Sequence, residues 1–139
     1  MRLTPVARQW RLVGDQALAR LGLSSSTGWC LIYLDRMGDD VRQADLARAV
    51  EISDATLVRT LHQLEASGLI ARHPDIEDKR VNRIRLTEAG RTMVGPIEAQ
   101  LADIRQALLA GVSDADISAA LRVCEALGEG LAARRGGVP

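Results

Sequence analysis

Apolar residues recur at intervals of three and four along the start of the chain, which is the spacing of one buried helix face. The first series comprises Val6, Trp10, Val13 and Ala17. Thr4 can cap free backbone amides and Pro5 suits the first helical position, so the spacing predicts a helix over residues 5–21. A second helix is predicted after the serines at 24–26, ending at Gly38. Its inward residues are predicted to be Cys30, Leu31 and Leu34.

The segment from residue 42 to residue 68 carries two shorter helical patterns separated by a tight turn. The predicted inner face of the first helix comprises Leu46, Ala47 and Val50. Ser53 is placed to cap the second helix. The predicted inner face of that second helix comprises Leu57, Val58, Leu61 and Leu64. Two short helices joined in this way form a helix-turn-helix. The outward face of the second helix should then carry Asp54, Ala55, Thr56, Arg59, Thr60 and Gln63.

Two short strand patterns follow, "LIARH" at residues 69–73 and "NRIRL" at residues 82–86. The second alternates between apolar side chains on one face and arginines on the other, namely Ile84 and Leu86 against Arg83 and Arg85. A charged loop, residues 74–81, joins the two strands. A hairpin beside a helix-turn-helix predicts a winged helix-turn-helix, in a fold that is mostly α with a small β-hairpin wing.

The charges of the chain balance, with 18 basic and 18 acidic residues, so any polyanion must be bound by a local patch. Four cations lie within residues 79–85, where there is no acid, namely Lys79, Arg80, Arg83 and Arg85. This clustering predicts an anion-binding tip on the wing.

Composition sets the broad class of the protein. With 47% hydrophobic residues, the 139-residue chain is expected to form one domain. No apolar run is long enough to span a membrane, and the start of the chain lacks the continuous apolar region of a secretory signal. Two widely separated cysteines fit a reducing compartment. We therefore expect a cytoplasmic protein with no membrane contact.

Helical patterns at both ends of the chain carry apolar faces that the winged module does not need for its own core. These residues are Val6, Trp10 and Val13 near the start and Ile117, Leu121, Cys124, Leu127 and Leu131 near the end. We expect an identical copy to cover them, so that residues 1–38 and 88–139 form a dimerisation region around a DNA-binding region at 39–87. The alternative is that the terminal helices fold back on their own chain. A twofold dimer would place its recognition helices about 34 to 36 Å apart and match a near-palindromic DNA site.

The run "LVRTLHQLEASGLIARHPDIEDKRVNRIRLTEAG" resembles the MarR family of winged-helix transcriptional regulators, and is most similar to its SlyA-type members. "QADLARAVEIS" and "RQWR" with Asp15 fit the same pattern, so the resemblance covers about residues 4–130. It implies a homodimeric, sequence-specific regulator of double-stranded DNA, acting as a repressor or counter-silencer and responding to small aromatic or phenolic anions, or to oxidants in some branches. Glu51 departs from the family, which usually has glycine there. If the turn needs a positive φ, Glu51 costs roughly 1 kcal/mol.

Candidate DNA contacts lie on the wing and on the second helix of the helix-turn-helix. By resemblance, Arg80 of the triplet Asp78, Lys79 and Arg80 enters the minor groove, where a narrow groove favours a guanidinium, with Asp78 orienting it. The major-groove set comprises Ser53, Asp54, Ala55, Thr56, Arg59, Thr60 and Gln63, of which Ser53 is first a cap. Arg83 and Arg85 are expected to contact phosphates. In the alternative interpretation, the wing tip is a solvated loop with a surface ion pair. For Arg59, the alternative is a surface ion pair with Glu65.

A candidate effector site joins the first two helices. Arg8 and Arg11 share one face, near which Trp29 and Tyr33 could lie, and the two arginines match positions that hold an aromatic carboxylate in SlyA-type proteins. A planar guanidinium can bind a carboxylate through two hydrogen bonds, and an aromatic side chain can pack against the ring of such a ligand. In the alternative interpretation, Trp29 is a core residue and Arg11 forms an ordinary helical pair with Asp15.

Other chemistry is not favoured by the sequence. Cys30 and Cys124 fall on inward faces, where apolar surroundings disfavour the thiolate, so neither is expected to be a redox sensor. His62 and His73 are too few and too poorly spaced for zinc, and no cofactor is expected. No catalytic motif is present, so we do not expect an enzyme. The alternative function is a winged-helix module that binds protein and does not recognise DNA sequence.

Overall fold

The computed structural model describes residues 2–137, which form six helices and three strands. In chain order these are α1 Leu3–Arg20, α2 Ser25–Met37, β1 Val41–Arg42, α3 Gln43–Val50, α4 Asp54–Ala66, β2 Ile70–Pro74, β3 Asn82–Leu86, α5 Glu88–Leu108 and α6 Asp114–Gly136. The mostly helical winged fold predicted from the sequence is confirmed. Residue 1 and residues 138–139, which the predicted dimerisation region includes, lie outside the described residues.

The chain divides into two compact units, and the boundary falls inside α5, between Asp103 and Ile104. The first unit contains α1 to β3 and most of α5, and the second contains the end of α5 and α6. This division follows the packing of the chain and differs from the predicted functional division at residues 39–87, which stays a prediction.

Three serines begin helices, and for Ser24 and Ser53 the sequence predicts this. The hydroxyl of each accepts a hydrogen bond from a backbone amide in the first turn, namely Ser24 from Thr27 (3.2 Å), Ser53 from Thr56 (3.2 Å) and Ser113 from Asp116 (3.1 Å). The predicted start of α1 is wrong by two residues, because the helix begins at Leu3 after Arg2 and has no side-chain cap. Thr4 therefore lies inside the helix.

The wing belongs to a three-stranded antiparallel sheet in the order β1-β3-β2. The sequence pattern predicts β2 and β3 but not β1, in which Val41 pairs with Ile84. Pairing of β2 with β3 runs from Ile70 opposite Leu86 to Pro74 opposite Asn82. The predicted alternation in β3 is confirmed, because its apolar side chains are buried and Arg85 is exposed.

The core of the first unit forms where α2, α3 and α4 pack against the sheet. Its fully buried side chains include Leu31, Ile32, Leu46, Leu61 and Ile84. Helices α1 and α2 approach closely at Gly14 and Gly28, where a Cβ atom would collide with Trp29 and Leu18 respectively. At the start of α5, Thr87 donates to the Gly68 carbonyl (2.6 Å) and accepts from the Gly90 amide (3.1 Å), which fixes α5 to the end of α4.

The apolar faces expected to contact a second copy are uncovered within the single chain. On α1, Val6 and Trp10 are exposed and Val13 is half-buried. No residue of α6 is buried, and its exposed apolar residues include Leu121, Leu127 and Leu131. Leu108 is also exposed at the end of α5. None of the helices in residues 2–137 combines the length and apolar character that crossing a membrane requires.

Candidate nucleic-acid interface

Helix α4 buries one face and exposes the other, but two residues lie where the sequence did not predict them. Val58, predicted inside, is 39% exposed, and Thr60, predicted on the outward face, is only 3% exposed. The Thr60 hydroxyl donates to the Thr56 carbonyl at 2.8 Å, so its polar atom is satisfied within the helix. With Leu57 and Leu61, Thr60 falls on the face set by intervals of three and four. Thr60 is therefore not available to contact a base.

The outward stripe of α4 is formed by Ala55, Arg59 and His62, which are spaced by four and three residues and are all exposed. Asp54, Ser53 and Gln63 are also exposed, whereas Thr56 is half-buried and accepts from the Ser53 hydroxyl at 2.9 Å. His62 is not among the major-groove residues predicted from the sequence. Its spacing from Arg59 would have found it.

Arg59 forms no ion pair among the residues that the structure describes. The alternative partner, Glu65, is instead bound by Arg72 of β2 at 2.6 Å. This hydrogen bond from Arg72 is the main cause that lowers the pKa of the Glu65 carboxyl. The Arg59 guanidinium is therefore free to bind an external partner.

The wing tip is a tight loop that presents one guanidinium. The Asp75 amide donates to the Val81 carbonyl (2.8 Å) and the Val81 amide to the Asp78 carbonyl (2.9 Å). The Asp78 carboxylate accepts from the Arg80 amide, Nε and Nη2 at 3.1, 3.0 and 3.2 Å. The Arg80 side chain is nevertheless 91% exposed, so Asp78 orients the cation without covering it. These side-chain and backbone hydrogen bonds from Arg80 lower the pKa of Asp78.

Arg83 serves the base of the wing. Its side chain is only 18% exposed, and its Nη1 donates to the Asp40 carbonyl at 3.1 Å. Its Nε lies 3.4 Å from Asp75 Oδ1, an ion pair whose geometry does not make a hydrogen bond. This guanidinium therefore braces the hairpin, and its predicted contact with phosphates stays a prediction. Lys79 and Arg85 are exposed and form no ion pair among the described residues.

A groove separates the wing from the start of α4. Its volume is about 410 Å³, and its lining includes Arg42, Gln43, Asp54, Arg80 and Asn82. Arg42 of β1 and Arg80 of the wing tip line this groove together with Asp54 of α4.

Around the candidate effector site, Arg11 is already engaged. Its Cζ lies 4.3 Å from the centre of the Trp29 ring, its Nη2 donates to the Val50 carbonyl at 3.2 Å, and its Nε is 3.6 Å from Asp15 Oδ1. Trp29 is buried and donates from Nε1 to Asp15 Oδ1 at 2.6 Å. Both alternative interpretations, a core tryptophan and an Arg11–Asp15 pair, match this arrangement.

The remaining predicted effector residues are brought together only in part. The rings of Tyr33 and Trp29 are 6.2 Å apart, so the aromatic pair exists. Arg8 is exposed and makes no hydrogen bond or ion pair within the described part of the chain.

The cysteines have different surroundings. Burial raises the pKa of the Cys30 thiol to about 12, a shift that the nearby Arg11 charge only partly offsets. Cys124, predicted on an inward face, is exposed in the single chain. Within residues 2–137 no group of histidine, cysteine and carboxylate side chains is arranged to hold a metal ion.

The arrangement of helix-turn-helix, three-stranded sheet and charged tip defines a winged helix-turn-helix protein. The MarR family model matches residues 21–81. The crystal structure of transcriptional regulator PA3341 is 32% identical, with 93% of this chain and 94% of that protein covered and a TM-score of 0.81. The chain belongs to the MarR family of transcriptional regulators.

Two further solved structures are similar. The crystal structure of MarR is 25% identical, covers 98% of this chain and 92% of that protein, and gives a TM-score of 0.76. A point mutant of S. aureus MepR bound to an oligodeoxyribonucleotide is 25% identical, covers 93% and 94% respectively, and gives a TM-score of 0.59. The family assignment gives no reason to expect catalysis, and the finer similarity to SlyA-type members stays a prediction.

Proposed function

We propose that this chain is a sequence-specific regulator that binds double-stranded DNA as a homodimer and represses or counter-silences transcription. The observation that carries the proposal is the set of exposed cations on α4 and the wing. Arg59, Lys79 and Arg85 have no acidic partner among the described residues, and Arg80 is held outward by Asp78. The net charge of the chain is zero, but these cations lie together on the winged module, and binding to a polyanion requires such a local patch.

In this proposal α4 enters the major groove and the wing enters the adjacent minor groove. Ala55, Arg59, His62 and Gln63 face base edges, and a good two-point contact is worth about 1 to 3 kcal/mol of discrimination. Arg80 lies in the minor groove, and Lys79 and Arg85 contact phosphates. The S. aureus MepR mutant, a similar structure that was solved with an oligodeoxyribonucleotide, supports the proposal that this chain binds DNA.

A second copy is proposed to cover the apolar residues of α1 and α6. Leucines and a tryptophan on these long helices are exposed within residues 2–137, and burying them in a twofold interface is the simplest way to remove them from water. Two recognition helices would then meet one near-palindromic operator.

A small aromatic carboxylate is the proposed effector. Arg11 joins α1 to the end of α3 through the Val50 carbonyl, one residue before the turn that leads to α4. A carboxylate that captured Arg11, together with the free Arg8, would compete with this hydrogen bond. Release of the Val50 carbonyl would loosen the support of α4, and a coupling of about 1 to 3 kcal/mol is enough to weaken operator binding.

The test is a fluorescence anisotropy titration of the protein with its own upstream DNA, using wild type, Arg80→Ala and Arg20→Ala. Arg20 is an exposed arginine at the end of α1 and is the matched control for charge. We expect tight binding by wild type and the control, and much weaker binding by Arg80→Ala with unchanged folding. Binding to no DNA fragment would favour the alternative of a protein-binding winged module.

A further inference from the structure

The wing tip carries a large apolar side chain with nothing to pack against. Ile76 is 96% exposed, the highest exposure among the large apolar residues that the structure describes. It stands in the loop "DIEDKR" between charged residues, where a polar residue would serve the fold equally well. A lone exposed isoleucine is common on protein surfaces, so its position decides whether it has a role.

Ile76 and Arg80 lie in the same short loop at the tip of the hairpin. The last strand pair is Pro74 with Asn82, and the hydrogen bond from the Asp75 amide to the Val81 carbonyl continues the pairing by one step. Beyond this bond the pairing ends, because the Val81 amide donates to the Asp78 carbonyl within the loop. The most exposed apolar side chain and the guanidinium proposed to enter the minor groove therefore share the tip of one thin hairpin.

The conformation of the tip does not depend on the Ile76 side chain. The loop is closed by backbone hydrogen bonds, Arg80 is held by Asp78, and the base is braced by Arg83 against Asp75 and Asp40. Removal of the isoleucine side chain should therefore leave the fold and the direction of Arg80 unchanged.

We propose that Ile76 enters the same minor groove as Arg80 and packs against its sugar walls, so that the wing reads the groove with one cation and one apolar side chain. This inference rests on the proposed DNA binding. The deoxyribose walls of the minor groove are apolar, and proteins that bind this groove often place apolar side chains in it. Such a contact depends on the width of the groove and releases no counterions, whereas the Arg80 contact does release them.

The two contributions separate in the salt dependence of binding. Upstream DNA is titrated with wild type, Ile76→Ala, Ile76→Val and Arg80→Ala over a series of KCl concentrations. Ile76→Ala should bind about tenfold more weakly for each wing in contact, because three of the four side-chain carbons are lost from a partly buried contact, and its salt slope should equal that of wild type. Ile76→Val should recover most of the affinity. Arg80→Ala should reduce the slope by about one for each wing.

The outcomes distinguish this inference from the proposed function. If wild type binds DNA and Ile76→Ala binds equally tightly, or weakens only through a changed salt slope, the apolar contact does not exist and the proposed function stands. If wild type binds no DNA, the proposed function itself fails. Equal thermal unfolding midpoints of wild type and Ile76→Ala confirm that any loss of affinity does not come from misfolding.

Discussion

Replacing Glu51 by glycine should stabilise the protein. Glu51 follows α3 with φ 58° and ψ 43°, and it is the only non-glycine residue with positive φ among the residues described. The left-handed conformation costs a residue with a Cβ atom about 1 to 2 kcal/mol. Glycine also raises the conformational entropy of the unfolded chain, and this offsets about 0.4 to 1 kcal/mol of the stabilisation obtained by removing the strain. The expected net gain is about 0.5 to 1 kcal/mol per protomer, or roughly 2 to 4 °C in the melting temperature.

Urea and thermal unfolding of Glu51→Gly and Glu51→Ala test whether the backbone conformation of residue 51 lowers the stability. The exposed Glu51 side chain makes no hydrogen bond or ion pair among the described residues, so both variants lose the same charge and no contact. Alanine keeps the Cβ atom and therefore the strain, so it should leave stability nearly unchanged. Equal stabilisation by both variants would show that charge, and not backbone conformation, is responsible. No stabilisation by glycine would refute the strain.

Three other variants or reagents give distinct expectations. Gly90→Ala should destabilise the fold by about 1 to 3 kcal/mol, because its Cβ would collide with the Leu69 carbonyl; an unchanged urea midpoint would contradict that packing. Cys30 should resist iodoacetamide in the folded protein at about pH 8, since a thiol with a pKa raised to about 12 stays protonated there, and peptide mapping that finds it modified would contradict its burial. Arg8→Ala and Arg11→Ala should each reduce the heat of salicylate binding in calorimetry; heats equal to wild type would remove these arginines from the effector site.

Local chemistry made much of the fold predictable. A serine cap acts within its own helix turn, so Ser24, Ser53 and Ser113 could be assigned from sequence alone. The Asp78–Arg80 contact spans two residues and was equally accessible to sequence reasoning.

Features that depend on distant parts of the chain were not predictable. Val58 and Thr60 have similar size and shape, and although the spacing from Leu57 and Leu61 favours burial of Thr60, the polarity of its hydroxyl favours the outward face; in the structure Thr60 is the buried residue. The strand β1 is too short to give a pattern and exists because β3, some forty positions later, pairs with it. Arg83 was assigned to phosphates because its partner Asp40 is equally remote in sequence.

The most direct measurement is a hydroxyl-radical footprint of the protein on its own upstream DNA, since this reagent attacks sugars from the minor groove. We expect two symmetric sets of protected sugars, one for each wing, flanking the major-groove segments in which α4 lies. Arg80→Ala should lose those protections while the dimer remains intact. A footprint that is unchanged in Arg80→Ala, or DNA with no protection at all, would contradict the placement of the wing in the minor groove.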